Sequence, residues 1–149
     1  MFRSLIETWP TWITMPLRLA LGAVFIAHGA QKVFGVWGGS GLAALADSQA
    51  PLGLRPAWLW LGAAAISELL GGALVLLGLV TRVGALMIAA VMLVAMLGVH
   101  WRGGFFLQNS GIEYTVALLG MALALLISGG GRASFDEALS NRRQSFRRR

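Results

Sequence analysis

The sequence predicts an all-α membrane protein, a four-helix transmembrane bundle with both termini cytoplasmic, and three observations lead there. Of 149 residues, 57% are hydrophobic and 12% charged, against roughly 45–50% and about 25% in a soluble domain. Four apolar stretches each approach the roughly 20 residues that cross a bilayer. Basic residues crowd one side of the topology those stretches define. A soluble chain of this length needs a polar surface, and too few polar residues remain to cover one.

The spans fall at about 14–35, 57–78, 83–100 and 112–128. The first has Arg18 ahead of an apolar run, as a signal peptide would, but is read as a retained helix. The fourth is the shortest and runs into Gly129-Gly130-Gly131, so it suits locally thin bilayer. Residues 1–133 thus form the transmembrane domain, and 134–149 a short cytoplasmic helix and basic tail. Ser134 and Glu137 have the spacing of a capping box, and the arginines of 142–149 are placed on anionic lipid.

With four spans the termini share a side. That side holds Arg3, Arg18, Arg82, Arg132, Arg142, Arg143, Arg147, Arg148 and Arg149; Lys32, Arg55 and Arg102 fall on the other. Cytoplasmic flanks collect Lys and Arg, so the termini are assigned there. The tryptophans agree, because indole prefers the headgroup level: Trp9 and Trp12 fall at an inner end, and Trp37, Trp58, Trp60 and Trp101 at outer ends. Between the first two spans, Gly38-Gly39-Ser40-Gly41 reads as a turn, 42–46 as a short interfacial helix, and Pro51 with Pro56 as the return.

There is no cysteine, which excludes disulfides, thiol relays and cysteine-ligated clusters or zinc. The net charge of +6 is explained by topology, and no nucleic-acid partner is expected. No metal-ligating set is apparent.

Ionisable side chains inside a span cost at least about 2.5–3.5 kcal/mol each, so the embedded ones are the candidate site. Glu68 sits near the midplane, with His28 about 5 Å and Lys32 about 11 Å beyond it at the helical rise. His28 and Lys32 are one turn apart and share a face, with Gln31 adjoining. His100, Trp101 and Glu113 fall at outer ends. Glu68, His28 and Lys32 are therefore candidate catalytic residues, and Gln31, His100, Glu113 and Trp101 candidate ligand contacts, around a polar pocket opening outward with Glu68 at its floor. Against this stand plainer readings: a structural Glu68–His28 pair, a Lys32 that snorkels, solvated ends at His100 and Glu113, and Arg18 and Arg82 as topology markers. Haem held by His28 and His100 is disfavoured, since their depths differ by about 7 Å.

The stretches Arg18-Leu19-Ala20-Leu21-Gly22 with Phe25, His28-Gly29 and Lys32, then Glu68-Leu69-Leu70-Gly71-Gly72 with Gly78-Leu79-Val80-Thr81-Arg82, resemble the DoxX family of small bacterial membrane proteins. His100 with Gly104, Gly111-Ile112-Glu113, and Gly129 with Ser134-Phe135-Asp136 continue the resemblance, which covers about residues 18–136. It implies a four-helix bundle in the inner membrane and a redox role with quinone or a partner oxidoreductase. Three functions fit that basis: the membrane component of a quinone-linked redox system, a small-molecule or proton transporter working as a homo-oligomer, and a non-catalytic anchor or assembly factor whose buried charges set helix register.

Overall fold

The computed structural model describes residues 5–45 and 48–147, with side chains up to residue 141 except residue 45. Arg3, Ala46 and the side chains of the basic tail from residue 142 onward lie outside the described residues. Helix accounts for most of the described chain, with no strand among the described residues. The long helices are α1 (Thr14–Phe34), α3 (Ala57–Leu77), α4 (Thr81–Ala95) and α5 (Glu113–Ser128), joined by the short α2 (Gly41–Leu45) and followed by α6 (Phe135–Arg147). A π turn, Met96–His100, and a 3-10 turn, Trp101–Gly103, extend α4.

Helix ends follow local chemistry. Glycine at left-handed backbone angles stops α1 at Gly35 (φ 70°) and α3 at Gly78 (φ 66°). At the second stop Leu79 N–H also returns to the Leu74 carbonyl, the paired closure of a Schellman motif. Pro56 precedes α3, where no N–H is needed. α4 begins at residue 81 rather than 83, because Val80 takes a left-handed conformation (φ 44°) and the helix starts directly after it.

By length and composition α3 and Thr81–Gly103 are able to cross a membrane. α1 qualifies only together with Val36–Ala44, from which it is bent by 102°, since Arg18, His28, Gln31 and Lys32 dilute its apolar character. α5 has 16 residues, about 24 Å at the helical rise. All six tryptophans are exposed on the outside of this arrangement.

The long helices pack side by side, α1 on α3, α3 on α4, α4 on α5, and α5 back against α1. Leu21, Phe25, Val75, Ile88, Met92, Leu118 and Leu125 fill the space between them. Adjacent glycines on α3 serve two neighbours. A Cβ on Gly72 would lie 2.8 Å from the Ile26 nitrogen of α1, and one on Gly71 would lie 3.1 Å from the Gly84 carbonyl oxygen of α4. On α1, Gly22 and Gly29 repeat the pattern against Leu76 and Leu69. In lipid, where apolar burial drives no association between helices, close backbone approach supplies the packing.

Gly72→Val is therefore expected to lower stability by about 1–3 kcal/mol through overpacking. Gly62→Ala and Gly120→Ala, where an added Cβ meets open space inside a helix, should be neutral or raise stability by up to about 1 kcal/mol. Thermal unfolding of the purified protein in detergent reads all three.

Candidate functional site: an ion pair between α1 and α3

Glu68 lies halfway along α3 on the face that carries Ala65, Gly72 and Val75, all buried. Opposite it, Gly29 lets α1 approach until a Cβ there would be 2.5 Å from the Leu69 nitrogen. Lys32, less than one turn beyond Gly29, then reaches back across the contact. Its Nζ donates to both carboxylate oxygens of Glu68, at 2.5 and 2.6 Å. The carboxylate side chain is 3% exposed and the lysine 41%. Two of three ammonium N–H groups are thus spent on Glu68, and the third has no acceptor among the described residues.

His28 is exposed and makes no hydrogen bond to a described residue. Leu21, two turns earlier on the same face, is fully buried, so this face of α1 is covered as far as Phe25 and open at His28. The partner of Glu68 is Lys32, not His28, and Lys32 does not extend away from the helices as a snorkelling lysine would.

The other candidate residues serve the chain locally. Gln31 Nε2 donates to the Trp37 carbonyl (3.3 Å), holding the turn after α1. His100 Nδ1 donates to the Ser110 carbonyl (2.8 Å), and Glu113 accepts from Leu107 N–H (2.9 Å); Trp101 is exposed. Among the seven candidates, side-chain hydrogen bonds join only Lys32 to Glu68. Groups of three or more potential metal ligands are absent among the described residues.

A second polar cluster lies at the opposite end, where the sequence gives no sign of a site. Asp136 at the start of α6 is 1% exposed and accepts from Val80 N–H (2.7 Å), Thr81 N–H (2.9 Å) and Thr81 Oγ1 (2.7 Å). It is an N-cap for α4 supplied from far along the chain. Arg18, also buried, donates to the Gly130 and Ala133 carbonyls at 2.8 and 3.0 Å, and Thr14 Oγ1 joins it on Gly130 (2.8 Å). Arg82 donates to the Ile127 carbonyl at the end of α5 (2.9 Å). Arg18 and Arg82 are thus ties between elements and more than markers of topology.

The capping box forms in altered shape. Glu137 N–H donates to Ser134 Oγ (3.1 Å), but the Glu137 carboxylate accepts from Ala133 N–H rather than Ser134 N–H. Apart from its place in the Ser134-Phe135-Asp136 stretch, the signal for Asp136 in the sequence is an acidic residue in a first helical turn, which is common. The two ends differ in chemical capacity. The Asp136 end is closed by backbone and hydroxyl donors on Asp136 and by guanidinium groups on buried carbonyls, while the Lys32 end holds a carboxylate whose one side-chain partner among the described residues is a flexible, partly open cation.

Apolar helices of spanning length packed around a buried ion pair define a small helical membrane protein. The DoxX family model matches residues 13–101, a stretch that includes both Lys32 and Glu68, and the chain belongs to the DoxX family. No curated protein and no solved structure matches it.

Removing the Asp136 carboxylate leaves buried donors on α4 unpaired, so Asp136→Ala should cost roughly 3 kcal/mol. Asp136→Asn, which keeps one acceptor oxygen, is expected to cost about half as much. Chemical unfolding followed by tryptophan fluorescence in detergent measures the difference.

Proposed function

We propose that the chain is a four-helix transmembrane bundle of the bacterial inner membrane with cytoplasmic termini, and that it is the membrane component of a quinone-linked redox system. The observation that carries the reading is the asymmetric ion pair: a carboxylate buried mid-helix, held among the described residues by one lysine that is 41% open. In this reading an outward-opening pocket has Glu68 at its floor and is reached when Lys32, the half-open member of the pair, moves aside.

The residues suit a quinone headgroup. Lys32 has one N–H free to hold a carbonyl oxygen, and Glu68 is placed to accept a hydroxyl proton once Lys32 shifts toward that oxygen. Burial keeps water from competing for the carboxylate. Exposed His28, one turn from Lys32, gives the proton a second acceptor on the way out. When bound, a quinol headgroup would supply two electrons, which pass to a partner oxidoreductase, and two protons, one taken by Glu68 and the other released to water at the open Lys32 end.

A second reading is favoured by the doubled contact of Lys32 on Glu68. A pair satisfied in both oxygens can serve only to fix the register of α1 on α3, as in an anchor or assembly factor.

The two are separated by neutralising the pair. Breaking a buried pair on one side leaves an unpaired charge and costs about 3–5 kcal/mol, so Glu68→Gln and Lys32→Met should each reduce folded yield. The double variant, without either charge, should regain yield. If the redox reading holds, the double variant remains at least about 100-fold slower in quinol oxidation with its partner and loses quinone binding. Recovery of both yield and activity in the double variant would establish the structural reading instead.

A further inference from the structure

The loop between α4 and α5 presents its apolar side chains outward while tying much of its backbone to itself. Trp101, Phe105, Phe106 and Leu107 are each 55–60% exposed, and Phe105 and Phe106 meet edge to face with centroids 5.4 Å apart. Such a cluster is unfavourable in water, yet nothing about the loop is loose. Glu113 N–H returns to the Phe105 carbonyl (2.8 Å), Ile112 N–H to Gly104 (2.9 Å) and Gly111 N–H to Phe106 (3.1 Å).

Asn109 and Ser110 N–H groups close a 3-10 turn on Phe106 and Leu107. The Glu113 carboxylate takes Leu107 N–H, and His100 takes the Ser110 carbonyl. The halves of the loop touch so closely that a Cβ on Gly111 would lie 2.5 Å from the Gly104 carbonyl oxygen, and one on Gly103 2.8 Å from Ser110 C.

We infer that loop 101–112 is a membrane-inserted cap, with Trp101, Phe105, Phe106 and Leu107 embedded at the headgroup–acyl boundary of the leaflet at the Lys32 end. Three observations converge on lipid as the occupant. Irregular backbone is tolerated at membrane depth only where its polar groups are paired within the protein, and this loop pairs the N–H groups of Gly104, Leu107, Asn109, Ser110, Gly111 and Ile112 internally or to Glu113. That suits the boundary depth, where the remaining groups still meet headgroups and water. The exposed side chains are aromatic and large apolar types that favour the interface.

The third observation is length. α5 reaches only about 24 Å, against about 30 Å of hydrocarbon, and a preceding loop seated at the headgroup–acyl boundary makes up part of that shortfall. Gln108 and Asn109, exposed at the tip of the 3-10 turn, meet the headgroups, and Arg102 reaches them along its stem. In this arrangement Glu113 and His100 are positioning residues for the loop and need no role at Glu68.

The absence of cysteine makes the test direct. Nitroxide labels are placed on Phe106→Cys, on Leu123→Cys as a lipid-facing control from exposed α5, and on Arg55→Cys as a loop control. The full chain is reconstituted alone in vesicles of phosphatidylethanolamine and phosphatidylglycerol. Collision with oxygen is compared with collision with a water-soluble nickel chelate. The oxygen-to-nickel ratio at Phe106 is expected to be several-fold above that at Arg55 and to approach that at Leu123.

A ratio at Phe106 equal to that at Arg55 would show a loop in water and overturn the inference. So would shielding from both reagents, which would mean that a second copy covers the patch. Phe105→Cys and Leu107→Cys repeat the reading if Phe106→Cys does not fold. Adding Glu113→Ala should drop the ratio at Phe106 several-fold as the loop loses its carboxylate tie; an unchanged ratio would remove Glu113 from that role.

Discussion

The contact between α1 and α3 governs both the packing of this protein and the chemistry at its centre. Gly22, Gly29 and Gly72 bring the two backbones together so tightly that a single methyl group would strike main-chain atoms. Lipid offers no hydrophobic drive for helices to associate, so the gain must come from dispersion across a surface with no gaps. The same approach decides the chemistry, because Lys32 meets Glu68 only if α1 crosses α3 next to Gly29. Gly71, beside Gly72, carries the packing to α4, and one pair of residues therefore fixes the position of three helices.

Beyond that contact the two ends of the molecule solve the problem of buried polar groups differently. At the Asp136 end, five elements converge: α1 through Thr14 and Arg18, α3 through Gly78, α4 through Val80, Thr81 and Arg82, α5 through its last carbonyls, and α6 through Asp136. Gly78 has no room for a Cβ because Arg18 and Ser134 occupy the space. At the Lys32 end the aliphatic core stops near Phe25, Met92 and Leu118, and the helices continue past it. The first end is a fastening, and the second leaves a polar pair at the limit of the core.

Much of this is legible in the sequence wherever the cause is local. α3 is an apolar run, interrupted only by Ser67 and Glu68, between Pro56 and Gly78, and both of its boundaries follow from the chemistry of those two end residues. Glu68 draws notice because a mid-span carboxylate has few innocent explanations. The hidden features depend on contacts far apart in the chain. The start of α4 at Thr81 needs a cap from Asp136, 55 residues away, and no window around Thr81 contains it. His28 and Lys32 share a face, so spacing alone gives neither of them preference for Glu68; the crossing point of α1 on α3 makes the choice. His100 and Glu113 look like part of one polar set because they lie at the same depth, but their partners are the backbone of their own loop.

The mobility of each partner explains why the proposed function is placed at one buried carboxylate and not the other. Asp136 has three short donors, all on the rigid start of a helix whose dipole favours a negative charge, and exchanging any of them would unravel that start. Glu68 has two contacts from one flexible side chain, and Lys32 can withdraw by rotating its own bonds without disturbing either helix. A charge in a low-dielectric interior is held hard by any partner, so what separates a structural carboxylate from a working one is the cost of moving that partner. By that measure Glu68 can change its company and Asp136 cannot.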